Sequence, residues 1–387
     1  MDRDIPKILP TDLYDALGSG AAPIVVDVRS ADDLRASSHS RSNPPHGPGA
    51  MSARNSCKTN RLNVLAILIA SAVMATGGAF AQPATLQIEA KVPLGKVRGR
   101  IDHMAVDLSR QRVFVAELGN DSVSVVDLQQ PKVVHRITGL KEPQGVGYAP
   151  AIQTLYVANG GDGSVRFFRG SDYAEAGRIA LGDDADNVRL DSAGQNLFVG
   201  YGNGALAVID VTKNQQIGNI ALKAHPESFQ LSGSDARIFV NVPRAQEVAV
   251  LDRTAAKQTA SWHMNQSGNF PMALDDTAQR VIAVFRSPSR LGVFSATDGQ
   301  VIANLETCGD SDDVFIDRKR HQVYVACGAG AVDIFEVNGD NYRRSTHIPT
   351  VAGARTALFI PELDRLVVAA RAAGSEPASL WVFRPVP

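Results

Sequence analysis

The chain has 387 residues, 44% hydrophobic and 20% charged, so it can bury a large core and is not disordered as a whole. Its formal net charge of -1 at pH 7 leaves no basic excess, and a nucleic-acid partner is not expected without local clustering.

Residues 1–50 open with a short helix over 11–17 (TDLYDAL), capped by Thr11 and stopped by Gly18. A buried-type strand follows over 22–29 and ends in Asp27-Val28-Arg29. This helix-to-strand passage resembles the truncated opening of a rhodanese (sulfurtransferase) domain. That family works through a cysteine nucleophile, and residues 1–50 hold no Cys. Without a thiolate no persulfide forms, so sulfurtransferase activity is excluded. Residues 37–49 then have turn and linker composition.

Residues 51–81 read as a secretory signal peptide. Met51 is followed by Arg54, Lys58 and Arg61, an apolar run over 62–75, and Ala79-Phe80-Ala81, with the cut expected after Ala81. The apolar run is short of the roughly 20 residues that span a bilayer, and no lipid-acceptor Cys follows it. No stable membrane anchor is therefore expected, and the mature chain is expected to be periplasmic or secreted. Met51 is the expected start, which leaves residues 1–50 as upstream sequence or a fusion remnant.

Within residues 82–387, read as the propeller domain, one unit is written seven times over 100–385. Its marks are RVFV at 112–115, TLYV at 154–157, NLFV at 196–199, RIFV at 237–240, RVIA at 280–283, QVYV at 322–325 and RLVV at 365–368. The central residues Phe114, Tyr156, Phe198, Phe239, Ile282, Tyr324 and Val367 recur every 41 to 43 positions. A period in the low forties built from short β runs is the signature of a propeller blade. The expected fold is all-β: a seven-bladed β-propeller of four-stranded blades, behind a short non-propeller segment and a signal peptide. Each third strand carries Val or Leu at its second place and apolar residues at its fourth and fifth, which suits a sheet stacked between two neighbours.

Six units carry their own fourth strand, and the seventh runs out after Trp381-Val382-Phe383. Residues 85–94 (TLQIEAKVPL) have the fourth-strand pattern and no unit of their own. Pairing them with the last blade would close the ring from both chain ends, leaving no blade with an unburied face.

The motifs Val113-Phe114-Val115-Ala116, Asp121 to Asp127, and Leu155-Tyr156-Val157-Ala158-Asn159 resemble the YVTN-type propeller repeat of exported bacterial proteins (the YncE-like family). The resemblance implies the propeller fold and a scaffold that presents loops; it assigns no reaction. The fifth unit departs from it, with Phe285-Arg286-Ser287-Pro288 where Asn-containing turns stand elsewhere.

In the blade register, the residues just before the first strands can point at the central axis. They include Asp102, His103, Gln144, Asp186, Glu227, Asp312 and Arg355, the candidate ligand-binding set, with His225 and acids Asp183, Asp184 and Asp310 alongside. Acids gather in units three and six, and arginines in units one and seven. Such a rim suits a small molecule, peptide or protein. Catalysis there by Asp102, His103, His225 and Glu227, as a hydrolase or lyase, is the alternative to a binding or scaffolding role. No zinc, calcium, haem, nucleophile-elbow or phosphate-loop motif occurs, so neither a metal nor a cofactor is expected. Glycines at 160, 161, 163, 202 and 204 are read as turns needing positive φ. Cys308 and Cys327 fall at one rim of the sixth blade. A disulfide between them is expected, with two free thiols or a shared metal as alternatives. A monomer is expected.

Overall fold

The structure, a computed structural model, describes residues 85–386; the rhodanese-like passage and the signal segment lie outside the described residues. Seven four-stranded antiparallel sheets follow one another. In six of them the strands stand in chain order. In the seventh, the order is Leu86–Pro93, Ser379–Pro385, Arg365–Ala370 and Ala357–Ile360, so the first strand of the propeller completes the last blade. The expected closure through residues 85–94 is what the fold contains. Leu86 stands opposite Pro385 and Val92 opposite Leu380. Leu94 N–H donates to the Ala378 carbonyl at 2.8 Å, Val386 N–H donates to Thr85 at 3.0 Å, and Glu89 takes Arg365 and Arg384 as ion-pair partners.

The core is not one mass. Among the described residues it forms seven apolar clusters, each shared by two neighbouring blades. Phe114 of blade one packs with Leu155 and Val157 of blade two, and Tyr156 of blade two with Leu197 and Val199 of blade three. The last cluster joins blade seven to blade one and holds Val92 and Leu94 with Val113, Val115, Val367 and Leu380. Every inner sheet is thus covered on both faces, which is why the third strands alternate so weakly. The fourth and fifth places of the third strand have a further reason to be apolar. In all seven blades a register shift against the outer strand falls between them, from Val125/Val126 in blade one to Val382/Phe383 in blade seven. Such a bulge sharpens the local twist that lets flat sheets pack radially.

The links between strands are held by aspartates. Asp107, Asp127, Asp210, Asp252 and Asp275 each accept backbone N–H bonds from residues two and three further on, the local bond that makes Asp a turn former. The glycines divide in two. Gly163, Gly202 and Gly204 do have positive φ, but Gly160 and Gly161 do not. At Gly160 an added Cβ would displace the Gln144 amide.

Candidate functional site

First strands place the axial side chains, though not quite where the sequence put them. In blades one, four and seven the strand begins at Met104, Phe229 and Ala357, so Asp102, His103, Glu227 and Arg355 do precede it. In blades two, three and six, Gln144, Asp186 and Asp312 lie inside Pro143–Ala149, Ala185–Leu190 and Ser311–Asp317. A register shift spans each of these positions. A bulge frees a residue from the ladder and re-aims its side chain, here toward the axis.

The axial residues occupy two levels. The upper is a funnel of about 290 Å³, walled by Gln144, Asp184, Asp186, His225, Glu227, Phe270, Arg286, Asp312, Arg355 and Arg100. The lower is a cavity of about 390 Å³ lined by the first strands of all seven blades, with His103, Arg189, Ser228 and Asp313 among its polar groups. Asp312, freed by the bulge, lines the funnel, and Asp313 lines the lower cavity.

In the funnel, blades five to seven form a closed charge cluster. Arg286 meets Asp312 at 2.5 Å and Asp310 at 3.4 Å, while its guanidinium stacks 3.7 Å from the Phe270 ring centre. Arg355 meets Asp310 at 3.0 Å and Asp312 at 3.2 Å. Burial alone would raise the Asp312 carboxyl; Arg286, Arg355 and Arg100 overcome that and hold it at about 2. The acids of unit six, which in sequence look free to bind, are therefore neutralised by arginines. The third arginine, Arg100, pairs with Asp102 at 2.8 Å.

Blades two to four differ. Gln144 donates to Asp184 at 3.1 Å, and the His225 Nδ1 lies 2.6 Å from the Gly202 carbonyl and 3.6 Å from Asp184. The His225 Nε2 stands 3.9 Å from Asp186 Oδ2. Desolvation pulls the His225 pKa down, but the Asp186 and Asp184 carboxylates and the Gly202 carbonyl push it up to about 9. Asp186 is buried, and its Oδ1 has no partner. The Glu227 carboxyl makes neither hydrogen bond nor ion pair among the described residues, and burial beside Asp186 pushes it up to about 8.

The four residues named as catalytic candidates do not form one cluster. His225 and Glu227 share the funnel wall, whereas His103 sits at the lower level between Asp102 and Asp313, 3.6 Å from each. Burial opposes a charge on His103, yet Asp313 and Asp102 push it up to about 10. Arg286 is the residue the sequence reading left off the wall. Its only signal was the fifth unit's departure at Phe285-Arg286-Ser287-Pro288, where the second strand runs on through Arg286 to Ser287.

Cys308 and Cys327 are disulfide-bonded, with Cα atoms 5.8 Å apart. The bond ties the end of Gln322–Cys327 to the segment that carries Asp310 and Asp312. Among the described residues, no group of three or more His, Cys, Asp or Glu side chains is placed to hold a metal ion, and no helix is long and apolar enough to cross a membrane.

No protein-family model and no curated protein matches the sequence. Solved structures do. The chain is similar to Kuenenia stuttgartiensis hydrazine synthase, with TM-score 0.63 and 16% identity over 74% of this chain and 95% of that one. It is similar to a chain of the mitotic checkpoint complex, with TM-score 0.63 and 13% identity over 83% and 98%. The RRP9 WD40 repeats give TM-score 0.66 and 12% identity over 78% and 98%. At such identities the likeness is one of fold alone, and what it establishes is a seven-bladed β-propeller of four-stranded antiparallel sheets.

Proposed function

We propose that this chain is an exported binding propeller of the YVTN type whose ligand, a small molecule or a peptide side chain, enters the funnel. One observation carries the reading: the funnel wall holds a buried carboxylate oxygen with nothing to accept from, Asp186 Oδ1, beside the half-buried Glu227 carboxyl. A buried polar group left unpaired costs about 1–3 kcal/mol, and a ligand donor would recover it. Export is supported by the basic, apolar and Ala-x-Ala run at 51–81 and by the disulfide. The test is a thermal-shift screen of the full chain against amino acids, amines, sugars, organic acids and short peptides. A saturable rise in melting temperature that Glu227→Gln or Asp186→Asn abolishes supports the proposal. A screen without a hit, or hits indifferent to both variants, overturns it.

One observation favours a second reading. At about 8, Glu227 holds its proton at neutral pH beside His225, as a general acid of a hydrolase or lyase would. Turnover of a screened ligand, lost in Glu227→Gln while binding persists, would favour an enzyme over a carrier.

A further inference from the structure

The funnel wall is divided in its chemistry, and the division says what kind of ligand it suits. On the side of blades five to seven and one, three arginines meet three carboxylates: Arg286 and Arg355 share Asp310 and Asp312, and Arg100 of blade one holds Asp102. That side has little left to offer an anion. On the side of blades three and four, Asp183, Asp184, Asp186 and Glu227 face one imidazole, one amide and the exposed guanidinium of Arg244. Gln144 is committed to Asp184, and the His225 Nδ1 to the Gly202 carbonyl. The remaining His225 nitrogen, 3.9 Å from Asp186, is too distant for a hydrogen bond. Asp186 is 6% exposed and its Oδ1 is unpartnered. An acidic wall by itself would mean little; a carboxylate oxygen buried in it without a donor is a second fact, and it asks for one.

We infer that Asp186 and Glu227 form the receptor for an organic cation, an alkylammonium or a guanidinium group, that descends the funnel. The inference rests on the funnel being the binding site proposed above. The alternatives fit less well. An anion would meet three arginines already paired with carboxylates, and opposite them three aspartates and Glu227 around His225 and Arg244. A metal ion needs three or more converging ligands, and no such group is arranged among the described residues. An ammonium has three rotatable donors and a guanidinium five, and either can bridge two carboxyls without a fixed coordination geometry. The sign of the charge agrees: with Glu227 protonated and His225 charged at neutral pH, Asp183, Asp184 and Asp186 still outnumber His225 and Arg244.

The groups facing Glu227 are Asp186, His225, Asp312, Arg286 and Arg100. A cation seated beside it would favour its ionised form, so binding should release a proton and tighten between pH 6.5 and 8.5. Calorimetric titration of the full chain tests this with agmatine and cadaverine as free cations, and with a peptide bearing one internal lysine between blocked ends. Citrate, maltose and magnesium chloride are the anionic, neutral and metal comparisons. The expected result is saturable binding of at least one cationic probe, at least about threefold tighter at pH 8.5. Asp186→Asn or Glu227→Gln should weaken it about tenfold or more, the effect of losing one charged hydrogen bond, while Asp172→Asn on the outer surface changes nothing. Free cations binding as tightly as the peptide point to a small-molecule ligand, and a tighter peptide to a presented side chain; both support the cation. Citrate or maltose binding without the cations, in a manner sensitive to Glu227→Gln, would overturn the inference and leave the binding site standing. Magnesium displacing agmatine from the same site would overturn it in favour of a metal. No binding by any probe would remove both readings. Because Asp186 is buried, melting curves of each variant accompany its titration, and the more accessible Glu227→Gln carries the test if Asp186→Asn misfolds.

Discussion

Three side chains on the axis carry protons that their types would normally shed, and each leaves a mark on stability. Glu227 is pushed up to about 8, His225 to about 9 and His103 to about 10. A group whose pKa is raised by folding binds more protons folded than unfolded, so its stabilising contribution is lost as pH rises. For Glu227 the window runs from its unfolded value near 4.5 to about 8, and for the histidines from 6.5 to about 9 and 10. The melting temperature should therefore fall progressively from pH 6.5 to pH 10. Glu227→Gln fixes this site in its neutral form at every pH. That variant should melt above the parent at pH 8, with the gap closing toward pH 5; parallel curves across the range would refute the assignment. Which residues reach the axis was largely legible, because register alone carries Asp102, Asp186, Glu227, Asp312 and Arg355 to one rim. How they pair was not. Nothing in a run of letters shows that Arg286 would reach across to Asp312, since the two belong to different blades and meet only when the blades are set side by side.

Single blades show a second layer of design, in which the rim is braced from within. Blade six is the best example. The Cys308–Cys327 bond fixes the entry to its first strand, and the Gly328 N–H donates to the Asp310 carbonyl at 2.7 Å. Beneath it, buried Asp333 accepts from the Cys308 N–H and from Thr307 and pairs with His347. The brace therefore holds the strand that offers Asp312 to two arginines. Replacing both cysteines by serine removes a cross-link across 19 residues, worth about 3 kcal/mol by the loop-entropy argument. Chemical denaturation should show a loss of that order; an unchanged midpoint would mean the bond does not stabilise the blade. Blades two and three depend on close approach instead. An added Cβ at Gly145 would run into the Asp186 carbonyl, so Gly145→Ala should lower the melting temperature and weaken funnel binding together, whereas a purely local defect would leave binding intact. The strands of these elements were plain in the period of the sequence. The first-strand bulges were not, because a bulge is defined by what stands opposite it, and a single strand does not display its partner.

The ring as a whole stands on a different principle from a domain with one core. Each of its seven clusters lies between two blades, so stability resembles a chain of nearest-neighbour contacts, and a closed ring has one more such contact than an open row. The cluster between blades seven and one is the one that closure supplies. Val92 and Leu94 are fully buried in it, Leu86 is buried in the neighbouring cluster, and Lys91 lies 3.6 Å above the Trp381 ring. This was legible in advance only because the seventh unit lacks a fourth strand and residues 85–94 lack a unit; a propeller closed within each blade would have left no such clue. Two variants test what closure is worth. Leu94→Ala should cost about 2–5 kcal/mol, the range for truncating a buried leucine, because both flanking blades lose contact with the same side chain. Deleting residues 85–94 should do more. It would uncover the backbone edge of Ser379–Pro385, leave Glu89's two arginines unpaired and free an apolar strip at Leu380 and Val382. An exposed strand edge recruits other edges, so the deleted chain should both melt markedly lower and form dimers or larger species in size-exclusion chromatography with light scattering. A deletion variant that remains monomeric with an unchanged melting temperature would show that six shared interfaces hold the ring without the seventh, and that the closing strand is dispensable to the fold.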